Sequence, residues 1–382
     1  MKILVIAPTP FFTSRGTHIR ILEESLAMEK AGHQVTIATY HIGGEIPPHL
    51  KSSIKIHRIR RLLFWYKKLE AGPDWQKILL DIMLIRKAFH LARTQKPDIL
   101  YGHLHEGLAI GWVVQKALFW RKMKLIGDLH GSLTNEMKSH GYLKNFFLLP
   151  LFRKMEKWID TMGDQIFTSS WENTEYVKRF REDGNVQTLL DGVNPDHFRG
   201  LPSKEALRKE WNLPQDKTIF VYTGALIPNK GINILLTNIE QALSQESNMH
   251  FVLAGYPVEA IQTWIQKNDF SSSITLISPL DYFKLPRLLG ACDFGIDPKN
   301  SETLQASGKI LNYMGAGLPV VCFERENNRK YLGEGGIYAK RSKDSSLKDA
   351  FEYADALSQE QKTQLGEKNK NASQKFIWKS LL

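Results

Sequence analysis

Short β-branched runs alternate with helix-period patterns from one end of the chain to the other, and nothing else in the sequence constrains the fold as tightly. Strands separated by helices cannot pair through tight hairpins. They lie parallel, joined by crossover helices that cover the sheet faces. The first half offers strands near Lys2 to Pro8, Gln34 to Tyr40, Ile54 to Ile59, Asp98 to Tyr101, Lys124 to Leu129, Gln165 to Thr168 and Val186 to Leu190. A helix from about Thr17 to Ala31 sets Ile19, Leu22 and Leu26 on one face and stops at Gly32. Another opens on a capping aspartate, Asp74, and ends before Pro97.

The turn-rich segment Asp191-Gly-Val-Asn-Pro195 closes this series. A second series opens after Leu201-Pro-Ser, with strands at Thr218 to Thr223, Phe251 to Ala254, Ile274 to Ile277, Phe294 to Ile296 and Pro319 to Phe323. A chain of 382 residues exceeds what one core usually serves. The expectation is therefore α/β, two doubly wound domains facing across a cleft: residues 1–197 and 198–365, then a C-terminal helix in 366–382 packing back towards the first domain. Ligands bind such sheets outside the carboxyl ends of the strands.

Charge narrows the classes of partner. Residues 1–197 carry 28 basic against 20 acidic side chains, and the remainder 23 against 20, so most of the net charge of +11 lies in the first half. It gathers where bases mix with large apolar groups: Arg58 to Lys68, Phe119 to Lys124, and Tyr142 to Lys157. Such segments suit an anionic membrane surface, and equally suit helices with one buried and one solvated basic face. No nucleic-acid recognition motif accompanies the charge. The longest apolar stretch, Phe146 to Phe152, is broken by Pro150 and far too short to span a bilayer. The N-terminal run reads as a first strand, not a signal peptide, and Cys292 and Cys322 sit in apolar strand-like contexts. These features point to the cytoplasm, with possible peripheral contact on the inner face of the membrane.

The strongest local signal is Ser307-Gly-Lys309 after a loop and before Ile310-Leu-Asn-Tyr-Met-Gly315. Small residues at a helix start let a ligand approach free amides, and Lys309 adds charge, which makes a phosphate site. Tyr222-Thr-Gly-Ala-Leu-Ile-Pro-Asn-Lys-Gly231 follows the first strand of the second series and brings Lys230 to another helix start. The Gly-x-Gly-x-x-Gly of a dinucleotide-dependent oxidoreductase is absent after the first strand, where Pro8-Thr-Pro-Phe-Phe-Thr-Ser-Arg-Gly16 stands instead.

With these segments the chain resembles the retaining glycosyltransferases of family 4, Ser-x-Lys type, which have the two-domain GT-B fold. The resemblance rests on Ser14-Arg-Gly16, Asp98 to His103, Asp128-Leu-His-Gly131, Asp191 to Asn194, Gly224 to Gly231, and Ser307 to Val321. It implies transfer of a sugar from a nucleotide-diphosphate sugar to a glycan, lipid-linked or small-molecule acceptor with retention, without a metal or other cofactor. It assigns the diphosphate to Lys230, Ser307, Gly308, Lys309, Gly16 and Gly224, and the sugar to His130. His103 and Asp128 become acceptor-side candidates. Two departures stand out. Ala225 occupies a position where many members carry arginine. Asn312 and Leu304 replace a pair of glutamates; Glu302 lies nearby, and the Asn312 amide retains hydrogen-bonding capacity toward a ribose. These departures motivate the rival reading of a non-catalytic subunit that binds a nucleotide sugar or a partner protein. The alternate spacing of His103 and His105 would set both rings on one strand face, but no further ligand cluster is evident, so no metal site is expected.

Overall fold

The computed structural model describes residues 1–67, 75–139, 148–181, 184–243, 247–300, 307–340 and 347–378. It contains two wholly parallel sheets. The first has seven strands: β1 (Lys2–Ala7), β2 (Gln34–Thr39), β3 (Lys55–Arg58), β4 (Ile99–His103), β5 (Lys124–Leu129), β6 (Gln165–Thr168) and β7 (Val186–Thr188), in the order β3-β2-β1-β4-β5-β6-β7. The second has six: β8 (Thr218–Ala225), β9 (Met249–Tyr256), β10 (Ile274–Ile277), β11 (Phe294–Asp297), β12 (Val320–Phe323) and β13 (Gly336–Ala339), in the order β10-β9-β8-β11-β12-β13. Each order reverses once, between β1 and β4 and between β8 and β11. A crevice opens at the carboxyl ends of the strands at such a switch point.

The central strands read as unbroken apolar runs because both faces are covered: β1 buries Ile3 through Ala7, and β8 buries Thr218 through Thr223. In the second core Phe220 stacks between Phe251 and Phe294, with ring centroids 5.4 and 5.0 Å away. Such aromatic pairs contribute about 0.5–1.5 kcal/mol each beyond simple burial. The strand β13, Gly336–Ala339, escaped the sequence reading, being a short edge strand that opens on a glycine.

The first helix, Gly16–Lys30, ends as expected: Gly32 adopts φ +88°, and the His33 amide reaches back to the Met28 carbonyl. Its burial extends beyond the predicted face of Ile19, Leu22 and Leu26. Ile21, Leu22 and Leu26 are buried, but so are Arg20, Glu23, Glu24 and Ser25, while Ile19 is only half-buried. The helix is enclosed on nearly every side and buries charge deliberately. The next helix, Trp75–Gln95, does stop before Pro97; its proposed cap Asp74 lies outside the described residues, as do Tyr142, Leu304 and Glu302. Cys292 lies in the turn before β11 rather than in a strand, and both cysteines are free and buried. Among the described residues no helix is long and apolar enough to cross a membrane.

Contacts divide the chain into two units. Met1–Asp191 and Trp378 belong to the first, and the other described residues to the second. The helix Gln359–Ser373 therefore packs within the second unit. Trp378, beyond it, sets its ring 5.7 Å from the Arg20 guanidinium in the first.

Candidate active site

At the switch point of the second sheet, the helix Gly308–Gly315 begins beside the ends of β8 and β11. Tyr313 fixes it there. Its hydroxyl accepts from the Thr223 amide at 2.9 Å and donates to the Ile296 carbonyl at 3.3 Å, tying the helix to both strands. Gly295 makes this possible, because a Cβ on it would lie 2.5 Å from the Tyr313 ring. Ser307 stands at the N-cap without a side-chain capping bond, and its carbonyl accepts from the Ile310 amide at 3.0 Å. Lys309 is 14% exposed; its Nζ lies 4.1 Å from the Tyr222 ring centroid and 3.5 Å from Asp297 Oδ1. Gly224 leaves room for it: at φ +129°, a Cβ there would meet Lys309 Cε at 3.7 Å. Asn312 is half-buried on the same helix, and Ala225 ends β8.

Lys230 closes the short turn Pro228–Lys230 and is half-buried. Gly231 follows at φ +84°, so close to the neighbouring loop that a Cβ would lie 2.3 Å from the Pro298 carbonyl. Three groups that sequence reasoning missed stand in this neighbourhood. Asp297, the last residue of β11, is fully buried, and neither carboxylate oxygen has a hydrogen-bond partner among the described residues. Lys299 and Arg325 are 4% and 5% exposed. Burial, and then Lys230, press the Lys299 ammonium down to about 7, against a partial pull upward from Asp297. A lysine directly after Asp297-Pro298 was the available signal, but only tertiary packing reveals that it is buried.

In the first unit, His103, the last residue of β4, pairs with Asp128, the last but one of β5. His130 Nε2 lies 2.8 Å from Asp128 Oδ2, and His103 Nδ1 lies 3.0 Å from the same oxygen. Arg20 grips Asp128 from the first helix, with Nε 2.9 Å from Oδ2 and Nη2 2.8 Å from Oδ1; Nη1 reaches Asp191 at 2.9 Å. Burial pushes the Asp128 carboxyl up, but Arg20 and then His130 pull it well below the usual carboxylate range. Glu24, competing for the same guanidinium, is driven well upward by burial and holds the Tyr101 hydroxyl at 3.0 Å. Burial lowers His103 to about 4, so it stays neutral. His103 and Asp128 are fully enclosed, whereas His130 retains 10% exposure and presents the accessible edge of the cluster. Gly16 opens the first helix, exposed and uncapped, and a side chain on it would meet nothing within 4 Å.

Residues 14–197 match the family model for Glycosyltransferase Family 4, and residues 203–372 match that for Glycosyl transferases group 1. The chain belongs to glycosyltransferase family 4. The chitobiosyldiphosphodolichol beta-mannosyltransferase of Kluyveromyces lactis is 26% identical over 352 residues, covering 80% of this chain and 72% of that protein. Sucrose-phosphate synthase from Thermosynechococcus elongatus superposes with a TM-score of 0.80 at 17% identity, covering 100% and 96% of the two chains. The Anabaena protein HepE, solved with UDP and glucose, gives 0.75 at 14% identity, covering 100% and 97%. The fold is accordingly GT-B, and the chain is a nucleotide-sugar-dependent enzyme of a retaining family.

Three expectations about this glycosyltransferase need correction. His103 and His105 do not share a strand face: β4 ends at His103, Leu104 turns the chain at φ +63°, and His105 falls on the helix Leu104–Ala117. Nor do they lack company. His103, Asp128 and His130 form one trio of potential metal ligands, and His105, Glu156 and Asp160 form another, each within 4.8 Å. In the first, Arg20 already supplies the positive charge that an ion would bring. In the second, His105 supplies it: burial opposes protonation, but Asp160 and then Glu156 raise it to about 9. Arg58 is also no free surface base. It donates to the Phe11, Ile42 and Gly44 carbonyls at 2.5, 3.3 and 2.6 Å, and so braces the loop after β1.

Proposed function

We propose that this glycosyltransferase transfers a sugar, with retention of configuration, from a nucleoside-diphosphate sugar to a lipid-carried acceptor at an anionic membrane surface. The observation that carries the donor side is the uncapped start of the helix Gly308–Gly315, with Lys309 seated over Tyr222 at the switch point of the second sheet. Fixed amides and ammonium groups stabilise the charge that grows on a departing diphosphate, because they need no reorganisation as it leaves. Lys230 and Lys309 then do electrostatically what a divalent ion does in metal-dependent transferases. His130 is the first unit's group for the transferred sugar, held in orientation by Asp128.

The acceptor side rests on exposed apolar groups interleaved with bases. On the helix Leu149–Asp160, Leu151, Met155 and Trp158 are 63%, 38% and 58% exposed along one stripe, beside exposed Arg153, Lys154 and Lys157. Phe119 and Trp120 stand out next to Arg121 and Lys122, and Leu62, Phe64 and Trp65 next to Arg60 and Arg61. Soluble surfaces rarely leave such groups in water, whereas aromatic rings enter a lipid interface while bases meet acidic headgroups. The yeast relative named for a dolichol-linked substrate agrees in kind.

Nucleotide sugars carrying uridine, guanosine or adenosine diphosphate, offered with polyprenyl-diphosphate saccharides and glycolipids, should label the organic phase with one donor, and the product should keep the donor's anomeric configuration. Label confined to soluble glycans would remove the lipid acceptor. Donor binding with no turnover across the panel would favour the non-catalytic subunit suggested by Ala225 and Asn312. Sedimentation with vesicles containing acidic lipid should retain the protein at low salt and release it as salt rises. Exchanging Arg153, Lys154 and Lys157 for glutamine should release it, whereas Arg58 is excluded because it braces the fold. Equal recovery in the supernatant with and without vesicles would count against membrane docking.

A further inference from the structure

We propose that a cleft at the amino ends of β4 and β5 binds the phosphate of a lipid headgroup, with Lys96, Arg121 and Lys122 as its ligands. The proposal rests on the membrane reading above and adds to it a defined site and a class of lipid. The cleft has a volume of about 600 Å³ and is lined by Lys96, Pro97 and Asp98 from one turn and by Trp120, Arg121 and Lys122 from another. The first turn leads from the helix Trp75–Gln95 into β4, and the second from the short turn Phe119–Arg121 into β5. The two strands pair in parallel from Ile99 and Lys124 onward, which brings their entry turns together. His103, Asp128 and His130 lie at the opposite, carboxyl ends of these strands or just beyond. The cleft is therefore separate from the sugar-binding cluster.

Its charge is unbalanced. Three bases face one lining carboxylate, and Asp98 Oδ2 already accepts from the Lys2 amide at 2.7 Å. Asp164, also at this end of β5, is held by the Leu125 amide at 2.7 Å and by Gln115 Nε2 at 3.0 Å. Arg121 Nε is enclosed and has no hydrogen-bond partner among the described residues. An enclosed donor without an acceptor is costly, and a phosphate oxygen is the acceptor a guanidinium fits best. The backbone agrees. Lys96 and Lys122 adopt φ +53° and +49°, left-handed positions that after a helix usually go to glycine or asparagine. Side chains kept in such a conformation cluster where a ligand is held.

The rim identifies the source of the phosphate. Phe119 and Trp120 are 75% and 60% exposed, edge to face with ring centroids 5.2 Å apart. Aromatic groups beside bases settle at the boundary between headgroups and acyl chains, which a soluble phosphate does not offer. Three cations also match the nearly two charges of a phosphomonoester better than the single charge of a diester. A phosphomonoester lipid such as phosphatidic acid is thus the favoured occupant.

The test is sedimentation of the full chain with phosphatidylcholine vesicles that contain phosphatidic acid or phosphatidylglycerol, matched in surface charge. The parent should bind the phosphatidic acid vesicles about tenfold more tightly. Exchanging Lys96, Arg121 and Lys122 together for glutamine should erase that preference and leave the binding common to both vesicles. Exchanging Arg153, Lys154 and Lys157 for glutamine should weaken binding to both and keep the preference. Arg121→Lys should retain only part of it, because an ammonium lacks the planar fork. Should the triple variant fail to fold, Lys96→Gln with Lys122→Gln, both exposed, should still lose most of the preference. Equal binding of the two vesicles by the parent, or an unchanged preference in the cleft variants, would overturn the site while the membrane reading stands. If glycerol phosphate raises the melting temperature of the parent but not of the triple variant, and the two bind vesicles alike, the cleft takes a soluble phosphate and the lipid assignment is wrong. If the parent binds neither vesicle, the membrane reading falls together with the site.

Discussion

Exchanging Lys309 for alanine should lower kcat by about 10²–10³, the cost of removing one preorganised donor from a developing oxyanion, roughly 2.7–4 kcal/mol. KM for the nucleotide sugar should rise far less, because the charge on the diphosphate is greatest as the bond to the anomeric carbon breaks. The size of the effect follows from how the ammonium is held. Tyr222 lies 4.1 Å beneath it, Asp297 is 3.5 Å away, and Gly224 leaves the space it occupies. Arginine should restore only a fraction of the rate, since its planar fork does not fit a seat shaped for a compact cation. Steady-state kinetics on the three forms checks this. A Lys309→Ala enzyme with parental kcat would remove the lysine from the chemistry.

Exchanging Arg20 for methionine should destabilise the first unit by about 3–5 kcal/mol near neutral pH, the usual cost of stripping a buried charge of its partner. Arg20 is 3% exposed, and its guanidinium is shared among Asp128, Asp191 and Glu24. The pH dependence carries a definite sign. In the parent, the depressed Asp128 carboxyl contributes stability that is present above its unfolded pKa and is lost as pH falls. Without Arg20, burial of Asp128 is still opposed by His130 and His103 but no longer by the guanidinium, so its folded pKa rises from the depressed value of the parent. The variant should therefore lack the stability that the parent gains above the unfolded pKa of Asp128, and the gap from the parent should narrow in acid. Urea unfolding at pH 5 and pH 8 measures it; an equal gap at both would show that Arg20 acts through packing alone. Turnover should fall as well, because His130 loses the fixed carboxylate that orients it.

Much of this was legible beforehand, for identifiable reasons. Parallel strands covered on both faces need continuous apolar runs, so Lys124–Leu129, Gln165–Thr168 and Ile274–Ile277 stood out with their observed bounds. The Ser307-Gly308-Lys309 start was readable because small residues before a helix-period pattern are a local signal, and the helix begins there. Charge compensation was not readable, because it joins residues far apart in sequence. Arg20 and Asp128 are 108 positions apart, and no local pattern tells a buried arginine on a helix from a solvated one. His105 misled for a related reason: alternate spacing implies one strand face only while the strand continues, and it stops at His103.

The sequence by itself determined the alternating elements, and with them the parallel sheets and the helix start at Ser307-Gly308-Lys309. Local periodicity and helix-end chemistry suffice for those. Tertiary structure alone decided which buried charges meet: Arg20 with Asp128 and Glu24, and Lys309 and Lys299 with Asp297. The reason is that a charge's energy depends on its burial and on the sign of its neighbours, and in a doubly wound sheet those neighbours arrive from other strands.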